Sequence, residues 1–107
     1  MAAAFKNQVV AGVGNTDQTI HTAQASVNTT PIGMTIANVT ANQIKASVKV
    51  TAGGVTAYLI KDAPIPVGTT LVPIGGEQKV VLEAADVIKV VTDTAAAADV
   101  ILSYLES

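Results

Sequence analysis

The sequence predicts an all-β protein: an antiparallel β-sandwich of about eight strands, with either a Greek-key, immunoglobulin-like order or a jelly-roll-like order. The β-branched residues Val, Ile and Thr recur along all 107 residues, and these residue types favour strands. Several segments alternate apolar and polar residues with the period of two that a half-buried strand requires. Turn residues separate these segments at intervals of about 8–12 residues, a spacing typical of a sandwich or barrel.

A central hairpin is the clearest local prediction. In residues 43–51 every second side chain is apolar and shares one face of the predicted strand, namely Ile44, Ala46, Val48 and Val50. The Gly53-Gly54 pair follows, and it supplies the two positive φ angles that a tight hairpin turn prefers. Residues 55–61 are therefore predicted to return antiparallel to residues 43–51.

Further strands are predicted at residues 6–11, 18–27, 32–40, 69–74, 79–83 and 86–92. Residues 62–68 contain Pro64 and Pro66, which remove hydrogen-bond donors from a ladder. This segment is therefore predicted to be an extended crossing segment that cannot continue a central strand.

The C-terminal stretch allows two interpretations. Asp93 and Thr94 could cap a helix through the four alanines at 95–98, or the alanines could form a turn before a strand over residues 99–105. We predict the turn and strand, because the β-branched residues after the alanines favour extended backbone. In that strand Val100, Leu102 and Tyr104 face one side, while Ile101 and Leu105 face the other. Since both faces are apolar, one of them is expected to meet something outside the domain.

The composition predicts one domain over residues 1–107, with residues 1–5 as an extended arm. Only 13% of the residues are charged and the net charge is −2. A neutral polar surface costs less to desolvate than a charged one, so this composition favours packing against other subunits. The six lysines are scattered and there is no arginine, which argues against a nucleic-acid partner. No apolar stretch is long enough for a membrane span, and no cysteine is present for disulfides or thiolate metal sites.

No motif predicts catalysis, a cofactor site or a metal site. Gly12-Val13-Gly14 lacks the third glycine and the helix of a dinucleotide site, so it predicts a turn. The single histidine, His21, has no set of metal ligands or nucleophile at a suitable spacing. The carboxylates that bracket the C-terminal loops are better suited to turn capping than to glycoside hydrolysis, and they are Asp62, Glu77, Glu83 and Asp86. The protein is predicted not to be an enzyme.

Two groups of apolar residues are candidates for a partner interface. One lies in the proline-bearing segment 63–74, where fixed φ angles lower the entropy cost of ordering a loop; the alternative, that this segment lines its own core, is equally compatible with the sequence. The other lies near the two ends of the chain. The predicted interface residues are Phe5, Pro64, Ile65, Pro66, Val67, Leu71, Ile101 and Leu105.

The second half of the chain resembles a group of small virion structural proteins of tailed bacteriophages, which include capsid decoration and tail-associated proteins. The resemblance lies in residues 59–68, Leu71-Val72, residues 75–84, residues 86–90 and residues 99–106. It implies a β-sandwich subunit of a particle, with no catalytic residues to carry over. One departure is visible: the group usually has glycine in the turn where this chain has Ala85, so a positive φ there would strain Ala85 by about 1 kcal/mol.

The resemblance and the low charge together lead to the expectation of a capsid cement or decoration protein that binds across neighbouring capsid subunits and stabilises the shell. Its expected partners are the major capsid protein and copies of itself, with no cofactor, nucleic acid or membrane, and its expected location is the virion, assembled in the host cytoplasm. A tail, neck or fibre-associated subunit is the first alternative. A glycan-binding module for host attachment, built around Tyr58 or Tyr104, is a weaker alternative because the chain contains only three aromatic residues of the Phe, Trp and Tyr types.

Overall fold

The computed structural model describes residues 4–75 and 80–106. Within these residues the chain forms eight strands: β1 (Ala4–Val13), β2 (Gln18–Thr22), β3 (Thr29–Asn38), β4 (Ile44–Ala52), β5 (Val55–Ile65), β6 (Thr70–Ile74), β7 (Val87–Thr92) and β8 (Ala98–Glu106). In the same residues we find no helix of the length and apolarity needed to cross a lipid bilayer.

The strands form two antiparallel sheets. Sheet A has the order β1-β8-β3-β6 and sheet B has the order β2-β7-β4-β5. The first strand pairs with the last, the second with the seventh, the third with the sixth and the fourth with the fifth. The chain is thus one long antiparallel ribbon, closed by the β4–β5 hairpin and rolled so that successive strand pairs lie in opposite sheets. The predicted β-sandwich is confirmed, and this strand pairing is that of a jelly roll.

The core lies between the sheets and receives side chains from both. Alternate residues of each strand point inward, and the bulkiest fully buried side chains are Met34, Ile36, Ile44, Ile65, Ile74, Leu82, Ile88 and Leu102. Truncating one such side chain to alanine typically costs about 2–5 kcal/mol. This core fixes which residues remain on the outer faces.

The predicted hairpin and the predicted C-terminal strand are both confirmed. Gly53 and Gly54 have φ angles of 58° and 79°, and Ala52 pairs with Val55 across the turn. Near the C-terminus the alanines at 95–96 form a turn, and β8 follows. In β8 the residues Val100, Leu102 and Tyr104 are buried and Ile101 is exposed, as the alternation predicted.

The second strand of the central hairpin was predicted to end at residue 61. This prediction is wrong, because β5 continues to Ile65. The strand lies at an edge of sheet B, where Pro64 has a ladder partner on one side only and can be accommodated. Asp62 has a φ of 52° and lies in a bulge, where the register against β4 shifts. Its backbone N–H donates to Ser47 Oγ at 2.9 Å, which replaces the ladder bond lost in the bulge.

The predicted strand at residues 79–83 is also wrong for its described part, residues 80–83. These residues make one isolated bridge, in which the N–H of Leu82 donates to Thr29 O at 2.7 Å and the N–H of Thr29 donates to Leu82 O at 2.8 Å. The turn at Ala85 follows so closely that no longer ladder forms. The first residue of the predicted strand, Lys79, lies outside the described residues, as does Glu77.

The predicted N-terminal arm is corrected where the structure describes it. Ala4 and Phe5 belong to β1 and pair with Glu106 and Leu105 of β8, so neither is part of a free arm. Residues 1–3 lie outside the described residues. The other limits shift by a few residues; in particular β2 ends at Thr22, and β3 begins three residues before its predicted start.

Candidate partner interface

An apolar surface lies on the outer face of sheet A. The register of β1 against β8 places Phe5 directly opposite Leu105, and Val9 directly opposite Ile101. Side chains directly opposite each other in an antiparallel pair share one face. Phe5 is 78% exposed, Val9 61% and Ile101 47%, while Leu105 is partly buried. We call these four residues the apolar face.

Neutral residues fill the space around the apolar face. Asn7 and Ser103 form the pair between the two apolar pairs. On the next strand, β3 places Thr30 opposite Leu105 and Thr35 opposite Ile101. Because neither neutral hydroxyls nor amides carry the desolvation cost of an ion, a partner can cover these positions at little electrostatic cost. The same face of β8 also carries Asp99, two residues before Ile101, whose Oδ1 accepts the N–H of Gly12 at 3.0 Å.

The structure brings together three of the residues predicted for the interface and separates the others from them. Phe5, Ile101 and Leu105 lie on the apolar face, and Val9 joins them. The local sequence does not single out Val9, because its position opposite Ile101 depends on the pairing of β1 with β8 at the other end of the chain.

The predicted interface residues of segment 63–74 lie elsewhere. Pro64, Pro66 and Val67 are exposed where β5 ends and turns toward β6, at the side of the sandwich away from β1. Ile65 is 1% exposed, so its assignment to an interface is wrong; the bulge at Asp62 turns its side chain into the core. Leu71 is partly buried and packs against the core cluster.

The outer face of sheet B has a different character, because it carries lysines. Lys49 lies directly opposite Lys89, and the Nζ atoms of Lys49 and Lys61 lie 5.6 and 5.2 Å from the centre of the Tyr58 ring. Asp17 binds Lys49, with 2.7 Å between Nζ and Oδ1, and this hydrogen bond raises the pKa of Lys49. The lysines are scattered in the sequence, and only the strand register reveals that they share a face.

A small polar cluster lies at one end of the sandwich, where β1, β2 and β8 meet. The rings of His21 and Tyr104 pack against each other at a tilt of 35°, with 4.4 Å between their centres, and His21 Nε2 lies 3.5 Å from Thr29 Oγ1. Lys6 Nζ donates to Glu106 Oε1 at 2.8 Å. Burial lowers the pKa of His21; the nearby Glu106 carboxylate opposes this effect, and Lys6 adds to it. Tyr104 is buried, so Tyr58 is the tyrosine that offers an exposed ring to a ligand.

The described part of the chain offers little geometry for chemistry on a small molecule. Residues 4–75 and 80–106 contain no pocket and no group of three or more metal-ligating His, Asp or Glu side chains. Two of the carboxylates instead organise backbone. Asp86 Oδ2 accepts the N–H of Glu83 at 2.9 Å, and Asp93 Oδ1 accepts the N–H of Lys45 at 3.0 Å, which lowers the pKa of Asp93.

Comparison with known proteins gives a likeness in fold. No family model and no curated protein matches the sequence. A solved structure of a protein from Bacillus endospore appendages, described as a novel family of disulfide-linked pili, superposes with a TM-score of 0.58. The match covers 97% of this chain and 86% of that chain, at 11% identity. At this identity the likeness shows the all-β sandwich fold alone.

Proposed function

We propose that the protein is a structural subunit of a bacteriophage virion, most specifically a capsid cement protein that binds across neighbouring capsid subunits and stabilises the shell. The observation that carries this proposal is the apolar face, in which three side chains that are about half exposed or more lie in two cross-strand pairs on one face, separated by the neutral pair Asn7–Ser103. Exposed apolar side chains that gather on one face mark an interaction site more often than isolated ones do. The resemblance of the second half of the chain to small phage virion proteins supplies the identity of the particle.

The physical mechanism is burial of neutral surface. Burying apolar area contributes roughly 25 cal/mol per Å², and the neutral neighbours of the apolar face add little desolvation cost. A subunit that covers the boundary between two capsid proteins holds both in place, because separating them exposes that area again. Such a role requires no catalytic group, and it suits a surface with few charges.

The test removes apolar surface without touching the core. In the double variant Phe5→Ser/Ile101→Thr both changed side chains are exposed, so we expect the fold to persist and binding to capsids assembled without the protein to weaken by tenfold or more, equivalent to at least about 1.4 kcal/mol. The control is Val55→Thr, which removes an apolar side chain on sheet B whose exposure, 68%, lies between those of Ile101 and Phe5. Co-sedimentation of the purified protein with capsids measures the binding. Equal binding by the double variant and the control would exclude the apolar face as the capsid-binding surface.

The position in the virion is a separate question with its own measurement. A cement protein is expected in hundreds of copies per particle, whereas a neck or tail subunit is expected in about six or twelve. Densitometry of purified particles, calibrated against the major capsid protein, distinguishes these cases. A low copy number would replace the cement role by the tail or neck alternative and leave the apolar face as its contact surface.

A filament subunit is the second candidate function, favoured by the fold likeness to the protein of the endospore appendages. The appendages that contain that protein are disulfide-linked pili, and this 107-residue sequence contains no cysteine. Any filament of this chain alone would therefore be held together without disulfide bonds. Negative-stain microscopy of the concentrated protein, with and without reductant, would show filaments insensitive to reductant if this candidate is correct.

A further inference from the structure

We propose that the free edge of β1 pairs with β1 of a second copy, antiparallel about a two-fold axis, so that sheet A continues from one copy into the other. This inference goes beyond the proposed function, since it specifies a self-pairing strand whatever particle the subunit belongs to. It concerns the backbone edge of β1, whereas the capsid contact proposed above uses side chains on the apolar face.

The first argument is that β1 is an open, regular edge. It is the terminal strand of sheet A, and residues 4–10 pair with residues 100–106 in seven consecutive positions without a bulge. Residues 4–9 are exposed on both faces of the strand, so no other element of the described structure covers them. Such an edge presents a row of unpaired backbone N–H and C=O groups, which is a template for strand pairing.

The second argument is that the other sheet edges are protected against pairing. β2 and β6 each contain only five residues, and β6 contains Pro73. β5 is long, but Pro64 and the bulge at Asp62 interrupt it. Short strands, prolines and bulges are the devices that keep natural edges from pairing. Among the edges that the structure describes, only β1 has seven consecutive paired residues, 4–10, without a proline or a bulge; its own register shift comes later, between Val10 and Val13.

The third argument identifies a second copy as the partner. A two-fold axis places the outward residues Phe5, Asn7 and Val9 of one copy beside the same residues of the other, so the apolar face continues across the seam. The single charge in this stretch, Lys6, is bound to Glu106 of its own chain, so the pairing brings together no unneutralised like charges. Pairing about a two-fold axis also closes on itself, and it therefore gives a dimer and not an open fibre.

Hydrogen exchange provides the decisive test. In a β1–β1 dimer the edge amides of residues 4–10 gain partners, so at high protein concentration they should exchange at least tenfold more slowly than on dilution, with the mass in light scattering falling from two chains to one. The exposed hairpin at residues 52–55 is the internal control and should exchange equally in both conditions. A monomer at all concentrations, or a dimer with unchanged β1 exchange, would overturn the proposal. Protection of β1 that requires added capsids would assign the edge to a strand of the capsid protein instead.

Two substitutions report on the edge separately from the apolar face. Because the N–H groups of neighbouring residues in a strand point to opposite edges, one of Asn7→Pro and Gln8→Pro removes a bond to β8 and the other removes only a free-edge donor. The better folded of the two should be monomeric with near-native thermal stability; if it remains dimeric, the proposal is wrong. Wild-type protein that is monomeric yet binds capsids would refute the β1 pairing and leave the capsid function standing. A β1-paired dimer that does not bind capsids would support the β1 pairing and refute the capsid function.

Discussion

At the scale of the residue, Ala85 holds a strained backbone in an exposed turn. Its φ is 72°, in the left-handed region that costs a residue with a Cβ roughly 1–2 kcal/mol. Its N–H donates to Ala23 O at 2.9 Å, and this bond holds the turn against the end of β2. The strain expected from the sequence, if the turn required a positive φ, is therefore present.

The variant Ala85→Gly should stabilise the protein, because glycine adopts this φ without strain. Glycine also loses more entropy on folding, by roughly 0.5–1 kcal/mol, so we expect a net gain of about 0.5–1 kcal/mol in the free energy of unfolding. Urea denaturation followed by circular dichroism measures it. The neighbour Ala84 is also exposed and lacks a positive φ, so Ala84→Gly should be neutral or destabilising. A loss of stability in Ala85→Gly would contradict the strain.

His21 should make stability depend on pH in the mildly acidic range. Burial against Tyr104 lowers its pKa below the usual 6.5, so the unfolded chain binds a proton more readily than the folded chain does. Neutral His21 makes its full contribution to the free energy of unfolding above pH 6.5. That contribution is lost as the pH falls from 6.5 through the pKa of the folded state. Glu106 and Lys6 are the charged groups near the ring, and their opposite effects leave burial as the main cause.

The check compares urea midpoints at pH 8 and pH 5.5 for the wild type and for His21→Gln. We expect the midpoint of the wild type to fall between these values and that of the variant to change less. The range stops above pH 5 because carboxylates such as Asp93, whose pKa is lowered, begin to contribute below it. An equal fall in both proteins would assign the pH dependence to another group.

At the scale of the element, β5 shows which features of a strand local sequence patterns predict and which depend on the whole fold. The two prolines correctly exclude a central strand, but an edge strand tolerates proline, and edge position depends on the strand order of the whole fold. The alternation in β4 and β8 was predictable because one buried face imposes period two on the local sequence. The isolated Thr29–Leu82 bridge and the burial of Ile65 depend on long-range register, which no local pattern encodes. For the same reason, the local sequence could not show that Phe5, Ile101 and Leu105 lie together. Nor could it show that Pro64 and Val67 lie elsewhere.

Ser47 is the residue that allows β5 to continue past its bulge, so Ser47→Ala should weaken this element. The substitution leaves the N–H of Asp62 without the Ser47 Oγ acceptor, and leaving a partly buried donor unpaired costs about 1–2 kcal/mol. Thr51→Ala is the control, because it removes an exposed hydroxyl bonded only to Thr56 across the same strand pair. Thermal unfolding should show a clear loss for Ser47→Ala and a change near zero for Thr51→Ala. Similar losses in both would show that the bulge does not depend on Ser47.

At the scale of the whole molecule, the two outer faces of the sandwich differ in a way that the scattered sequence positions conceal. Sheet A presents the apolar face and neutral neighbours, whereas sheet B presents Lys49, Lys61 and Lys89 around Tyr58. Covering sheet B with an uncharged partner would desolvate ammonium groups, which is costly unless each finds a counter-charge. Assembly through sheet A should therefore leave the lysines of sheet B in water.

Lysine reactivity tests this asymmetry directly. With an amine-reactive reagent and mass spectrometry, we expect Lys61 and Lys89 to be modified at the same rate in the assembled particle and in the free protein. Lys6 is 46% exposed in the free chain, but side chains alternate along β1 and place it on the opposite side of sheet A from Phe5 and Val9. Its rate should therefore fall only if the partner also covers the free edge of β1. The free protein carrying Phe5→Ser/Ile101→Thr provides the unassembled reference at the same concentration. Protection of Lys61 and Lys89 on assembly would contradict this orientation of the subunit. It would mean that sheet B, with its lysines neutralised by an acidic partner, is the face turned toward the assembly.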